Sequence, residues 1–283
     1  MSRGAGWGVS LQRWQLALPL SLFFCLFVLA PLGLLAATSV TGPDGLTTAQ
    51  YVKFLTDGFN LAILRDTLVL GLEATVLALL LGYPLAYGFV QASARLQSVL
   101  IFLIVLPLLT SAVVRTFAWV IILGRQGIIN EAVQWLGITP DPLRLLYTQP
   151  AVVVALAQIE LPLMTLPLIT AIGGIDANLP QASAALGAGH WRTFFKVVVP
   201  LSLPGMLGGC LLVFAAATSA FITQSIIGGG RLMYLPLYIY QQAIQVQDWP
   251  FAAAIAMILL AAVLGIVFAM NAVGRLGRGY AHG

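Results

Sequence analysis

The chain has 283 residues, 60% of them hydrophobic and 8% charged, with a formal net charge of +4. Soluble domains carry roughly 25% charged residues, so the composition excludes one and describes a protein built for lipid. The excess of cations then reports membrane topology and gives no reason to invoke nucleic acid.

A bilayer span takes ~20 apolar residues. Six such runs lie near 15–38, 67–90, 98–123, 149–172, 203–225 and 250–273. The fold class that follows is all-α, an integral membrane bundle of six transmembrane helices. The first run follows Arg3 and Arg13 and is longer than a signal-peptide core, so it reads as an uncleaved helix. In the 39–66 segment a turn cluster, Thr41-Gly42-Pro43-Asp44-Gly45, precedes a short amphipathic helix over 46–55, capped by Thr47 or Thr48. The second run carries Glu73, and the third carries Pro107, Arg115 and Trp119. The fourth carries Glu160, Pro162 and Pro167. The proline-interrupted runs read as single spans, since membrane helices tolerate proline. Between the third and fourth runs, Gly124 and Gly127 precede a second short helix over 130–135.

The 173–202 segment is the least membrane-like and resolves into two pieces. Asp176 or Asn178 caps a short helix with Pro180 in its first turn, small residues at Ala182, Ser183, Ala184 and Ala185, and an end at Leu186-Gly187. The second piece sets Trp191, Phe194, Phe195 and Val198 on one face, with Arg192 and Lys196 on another. Pro200 and Pro204 are expected to break it before the fifth span. An interfacial helix resting on lipid headgroups accounts for the second piece. It does not account for the first, whose small residues would let another protein approach the backbone closely. Further on, Gly205-x-x-x-Gly209 reads as close helix packing, and the glycine-rich turn at 226–231 suits a gate. Cys25 and Cys210 fall within apolar runs and read as buried free thiols, with no metal-ligand spacing.

Catalysis finds no parts. There is no GxxxxGK[ST] phosphate loop, and neither His190 nor His282 has a carboxylate or nucleophile placed beside it in sequence. Each charge inside a span costs at least ~2.5 kcal/mol unless paired or hydrated, which singles out Arg115, Glu160 and Glu73. Two readings stay open for them: an Arg115–Glu160 pair that fixes helix packing, or a polar translocation path lined also by Trp119 and Tyr87. Orientation follows the Lys/Arg bias. With both termini cytoplasmic, inside segments hold seven cations (Arg3, Arg13, Arg95, Arg192, Lys196, Arg275, Arg278) against Asp176 alone. Outside segments hold five (Lys53, Arg65, Arg125, Arg144, Arg231) against six acids.

The pattern QAS-x-x-x-G with downstream prolines resembles the EAA loop of type I ATP-binding-cassette importer permeases. Residues 106–130, LPLLTSAVVRTFAWVIILGRQGIIN, resemble the third helix and following loop of the spermidine/putrescine-type branch. Gly82-Tyr83-Pro84, Ser219-Ala220-Phe221, Gly228-Gly229-Gly230 and Asp248-Trp249-Pro250 fit the same branch in order. Gln181 stands where that family has Glu, Ser183 where it has the second Ala, and Gln224 where a proline is expected, which predicts a milder break in the fifth helix.

The resemblance implies a permease subunit whose coupling residues are Leu179, Gln181, Ala182, Ser183, Leu186 and Gly187. Its translocation path would include Arg115, Trp119, Glu160 and Glu73. Domains follow as an N-terminal helix and first periplasmic loop (1–62), a five-helix core with a coupling loop at 176–200 (63–275) and a cytoplasmic tail (276–283). Implied partners are a second permease, two cytoplasmic ATPase subunits carrying ATP and Mg, and a periplasmic solute-binding protein, with no cofactor on this chain. The implied location is the bacterial inner membrane and the implied solute small, charged and organic, polyamine-like by branch. The alternative is a self-sufficient secondary transporter or channel using Glu73 or Glu160.

Overall fold

A computed structural model describes residues 18–19, 21–42 and 45–278, with side chains to residue 272. The readings on Arg3, Arg13, Pro43, Asp44, the side chains of Arg275 and Arg278, His282, and the tail beyond residue 278 lie outside the described residues. Among the described residues, five helices are long and apolar enough to cross a membrane: Ser21–Ser39, Gly58–Gln91, Ala112–Trp135, His190–Ser219 and Trp249–Ala272. The pair Gln149–Ile159 and Leu161–Gly173, bent by 46°, makes a sixth when counted as one span, and is called the fourth span below. The all-α, multi-span architecture expected from the apolar runs is therefore present.

Four departures from the expected elements have local causes. The second span begins at Gly58, well before residue 67, and runs as one helix to Gln91 through Pro84. Its first turns are apolar, and Arg65 and Asp66 neutralise each other at 2.8 Å. The third run is two helices, not one. Ala94–Val105 passes into a 3₁₀ turn at Leu106–Leu109, Thr110 is extended, and Ala112–Leu123 starts afresh. Pro107 lacks the N–H that would continue the ladder, and the Thr110 hydroxyl donates to the Pro107 carbonyl at 2.8 Å, closing the turn.

The fifth span shows the reverse. Pro200 and Pro204 do not break it: His190–Thr193, a π-turn over Phe194–Val198 and Val199–Ser219 form one apolar helix. The wide turn absorbs the proline-induced mismatch, with the Val199 N–H reaching back to the Phe194 carbonyl. The piece expected to lie on headgroups is thus continuous with the fifth span, one helix with it. At the far end the helix does break, at Ala220 with ψ 71°, although Gln224 replaces the expected proline. The Gln224 amide donates to the carbonyl of Ala217 at 2.8 Å, satisfying a group the break frees.

The described chain forms two compact units. One comprises residues up to Gly58 together with Ile239–Ile258. Within it the loop helix Ala49–Thr56 starts three residues later than expected and buries Phe54; its N-cap is Thr48, without a side-chain bond, while the Thr47 hydroxyl accepts from the Ala49 N–H at 3.1 Å. Lys53 lies 3.3 Å from the Asp248 carboxylate and over the Phe251 ring.

The other unit comprises Phe59–Tyr238 and the residues from Leu259 on. Its core packs the second, fourth and fifth spans through small and aliphatic side chains, among them Leu70, Ala74, Ala78, Ala155, Leu156, Met164, Leu168, Val213 and Ala217. Gly205 and Gly209 sit where the fifth span meets the second half of the fourth. A side chain at Gly205 would collide with Ala171 and the Pro167 backbone, and one at Gly209 with Met164. Small residues let these backbones approach closely, the usual source of dispersion contact between helices in lipid.

Candidate functional site

The fourth span ends at Gly173 and the fifth helix begins at His190. Between them the helix Asn178–Ala185 buries none of its residues. The Asp176 carboxylate accepts from the Asn178 N–H at 2.9 Å, so Asp176 is the acid that starts it. Its end is a Schellman motif: the Gly187 N–H bonds the Ala184 carbonyl and the Ala188 N–H the Ser183 carbonyl. Gly187 has φ +83°, a conformation that a Cβ disfavours.

The predicted coupling residues divide by direction. Leu179 is half-exposed, Gln181 and Ala182 are exposed, and Leu186 is 89% exposed, an apolar side chain that nothing among the described residues covers. Ser183 turns inward instead, and its hydroxyl meets that of Thr193 at 3.0 Å. That bond ties the short helix to the start of the fifth span.

Behind the helix lies a cavity of about 580 Å³, lined by Tyr87, Ile172, Pro180, Gln181, Ala184 and His190 among others. Phe194, on the fifth helix, packs edge-on against Tyr83 and Tyr87 at 5.6 and 4.9 Å. The Tyr83 hydroxyl meets Ser202 at 2.8 Å. The aromatic face predicted as one therefore splits: Phe194 and Val198 face protein, while Trp191 and Phe195 stay exposed.

Two of the three intramembrane charges, Arg115 and Glu160, lie at the bend of the fourth span. The Arg115–Glu160 ion pair, one of the two readings left open for these charges, does not form. Arg115 instead donates to the carbonyl of Ile159 at 3.2 Å, the last residue of the first half-helix. Bending at Glu160 sends the Leu163 N–H to the Glu160 carbonyl, leaving that of Ile159 for a side chain. A cation at a helix C-terminus and a carboxylate at an N-terminus each meet the favourable end of a helix dipole. Arg115 occupies the first position and Glu160, the residue before Leu161–Gly173, the second.

Trp119 stands one turn along from Arg115, and its indole N–H donates to the Gln158 side-chain oxygen at 3.0 Å. Arg115, Trp119, Gln158 and Thr110 line one cavity of about 340 Å³. Glu160 does not line it. Glu73 is apart, accepting from Gln149 at 2.7 Å. Gln149 begins the half-helix that Ile159 ends, about 15 Å away at 1.5 Å per residue.

Two residues went unnoticed in the sequence. Gln158 is the polar partner that completes the Arg115 cavity; an amide two residues before a buried acid, in an otherwise apolar run, was its signal. Thr116 meets Thr223 hydroxyl to hydroxyl at 3.1 Å, joining the third helix to Phe221–Gly228, the helix beyond the break that ends the fifth span, and nothing in the one-dimensional pattern pairs them.

Residues 74–278 match the family described as the binding-protein-dependent transport system inner membrane component. The chain is 33% identical over 249 residues to the spermidine/putrescine transport system permease protein PotB of Escherichia coli (strain K12), covering 86% of this chain and 90% of that one. A bacterial ABC transporter involved in the import of the acidic polysaccharide alginate contains a chain of the same fold. It superposes with a TM-score of 0.73 at 18% identity, over 93% of this chain and 95% of that one. The alginate transporter in complex with an alginate pentasaccharide-bound periplasmic protein gives the same TM-score, over 94% of its chain.

Proposed function

The chain belongs to the binding-protein-dependent transport system inner membrane component family, and from that premise we propose that its exposed Asn178–Ala185 helix is where a cytoplasmic ATPase drives it. The protein is a permease subunit of an ABC importer, a multi-pass protein of the inner membrane. The observation that carries the coupling assignment is the contrast within this helix. Leu186, Gln181 and Ala182 lie open to a partner, whereas Ser183 bonds the fifth span.

Force applied to the helix passes through two rigid links. The Schellman turn at Gly187 holds the chain direction into His190, and the Ser183–Thr193 bond fixes the helix sideways. From His190 the fifth span runs unbroken to Ser219 and packs through Gly205 and Gly209 on the fourth. Motion of the short helix is thereby delivered to the second half of the fourth span, beyond the bend that Arg115 holds. The cavity of Arg115, Trp119 and Gln158 belongs to the translocation path in this reading, with Glu160 at the hinge. Glu73 lies outside it.

The remaining parts of the machine are proposals of the same reading. A second permease, two ATPase subunits that bind ATP and Mg, and a periplasmic solute-binding protein complete it, with the coupling helix and both termini in the cytoplasm. The solute is a small charged organic molecule; the name of the 33% identical relative supports a polyamine-like one.

Leu186→Asp tests the coupling assignment. The side chain is 89% exposed, so the variant permease should fold and insert normally. Co-purified ATPase and solute uptake should both fall by an order of magnitude or more. Undisturbed uptake would sink the assignment.

A further inference from the structure

At the end of the fourth span opposite the coupling helix, three arginines from three separate segments converge. Arg125 follows the third span, Arg144 precedes the fourth, and Arg231 follows the glycine turn after Phe221–Gly228. All three line one cavity of about 240 Å³, with Tyr147. All three are exposed, and none has an ion-pair partner among the described residues. Three like charges around one concavity repel each other unless an anion is brought to them.

The cluster is built, not a chance meeting of mobile loops. Asn130 is buried, and its amide N–H groups donate to the carbonyls of Gly124 at 2.9 Å and Leu143 at 3.1 Å. Its oxygen accepts from the Leu143 N–H at 2.8 Å. One side chain thus bolts together the backbones next to Arg125 and Arg144. Tyr147 makes the second bolt: its N–H donates to the Ile227 carbonyl at 3.1 Å, and its ring fills the space a side chain at Gly229 would need. Gly229, at φ +59°, is therefore fixed both by conformation and by contact. The Arg231 N–H then bonds the Gly228 carbonyl at 3.1 Å. The glycine turn that suited a gate in the sequence is held on Tyr147, and its product is the placement of Arg231.

We propose that Arg125, Arg144 and Arg231 form the docking site for a carboxylate-rich patch on the solute-binding protein. The inference rests on the importer reading above, which puts this end of the bundle outside the cytoplasm. Guanidinium groups match carboxylates in bidentate geometry, and a pre-placed cluster steers encounter and fixes register more than it adds raw affinity. Such a contact recruits and orients the binding protein over the path without touching the solute.

The test uses the full complex in nanodiscs, with ATPase rate measured against the concentration of its binding protein. Replacing all three arginines by glutamine should raise the half-saturating concentration roughly tenfold, as lost steering charges do. The rate without binding protein, and the rate at saturation, should not change. The triple lysine variant should recover part of the loss, the steering charge without the bidentate match, showing that charge and not folding is at issue. Added salt should weaken the wild type and leave the glutamine variant nearly indifferent. An unchanged half-saturating concentration in the glutamine variant overturns the proposal. So does a change that appears only in nanodiscs containing anionic lipid, since that identifies a headgroup-phosphate site. Failure of the binding protein to stimulate the wild type at all would instead sink the importer reading beneath it.

Discussion

Arg115 donates to the Ile159 carbonyl at 3.2 Å, at the point where the fourth span bends. A backbone carbonyl freed within a span is costly to leave unsatisfied. This gives the arginine a structural task that a pair with Glu160 would not explain. Arg115→Leu should lower the unfolding free energy of the assembled permease by about 1–3 kcal/mol, the usual range for stranding a buried acceptor. A fall in thermal midpoint in detergent is the readout, and a midpoint equal to wild type would show the carbonyl to be served otherwise. The sequence marked Arg115, Glu160 and Glu73 as costly charges, and that much was legible from residue type alone. Their partners were not, because Ile159 and Gln149 contribute a backbone oxygen and an ordinary amide, which carry no signal in a one-letter code.

At the scale of elements, proline proved a poor guide to where helices end. Pro107 accompanies a true break, Pro84 accompanies none, and Pro200 and Pro204 lie within one span entered through a π-turn. The missing N–H is the same in each case; what differs is whether nearby turns can widen or a hydroxyl can close the gap. Glycine was the better guide. Gly187 ends its helix in the left-handed conformation, and the Gly205/Gly209 pair marks the packing seam. Gly209→Leu should separate the fourth and fifth helices, since even a Cβ would meet Met164. The expected outcome is loss of the folded permease from the membrane fraction, whereas Gly208→Leu, one residue away in open space, should accumulate normally. Equal accumulation of the two would remove the seam from the account.

For the whole molecule, the proposed reading gives partners two surfaces that this chain leaves open: the exposed Asn178–Ala185 helix at one end and the arginine cluster at the other. Proteoliposomes holding this chain alone should therefore take up no solute, and uptake should return with the ATPases, second permease and binding protein. Uptake by the isolated chain would restore the secondary-transporter alternative. The sequence by itself determined the membrane class, the all-α multi-span architecture and the position of the short helix between the fourth and fifth spans. These are written in composition, run length and the spacing of small residues, all properties of contiguous chain. Only the tertiary structure decided which charges meet, that Ser183 faces inward, that Gln158 completes the Arg115 cavity, and that Asn130 and Tyr147 lock three arginines together. Each of those depends on residues far apart in the chain whose approach is set by helix packing, and packing leaves no local trace in the order of amino acids.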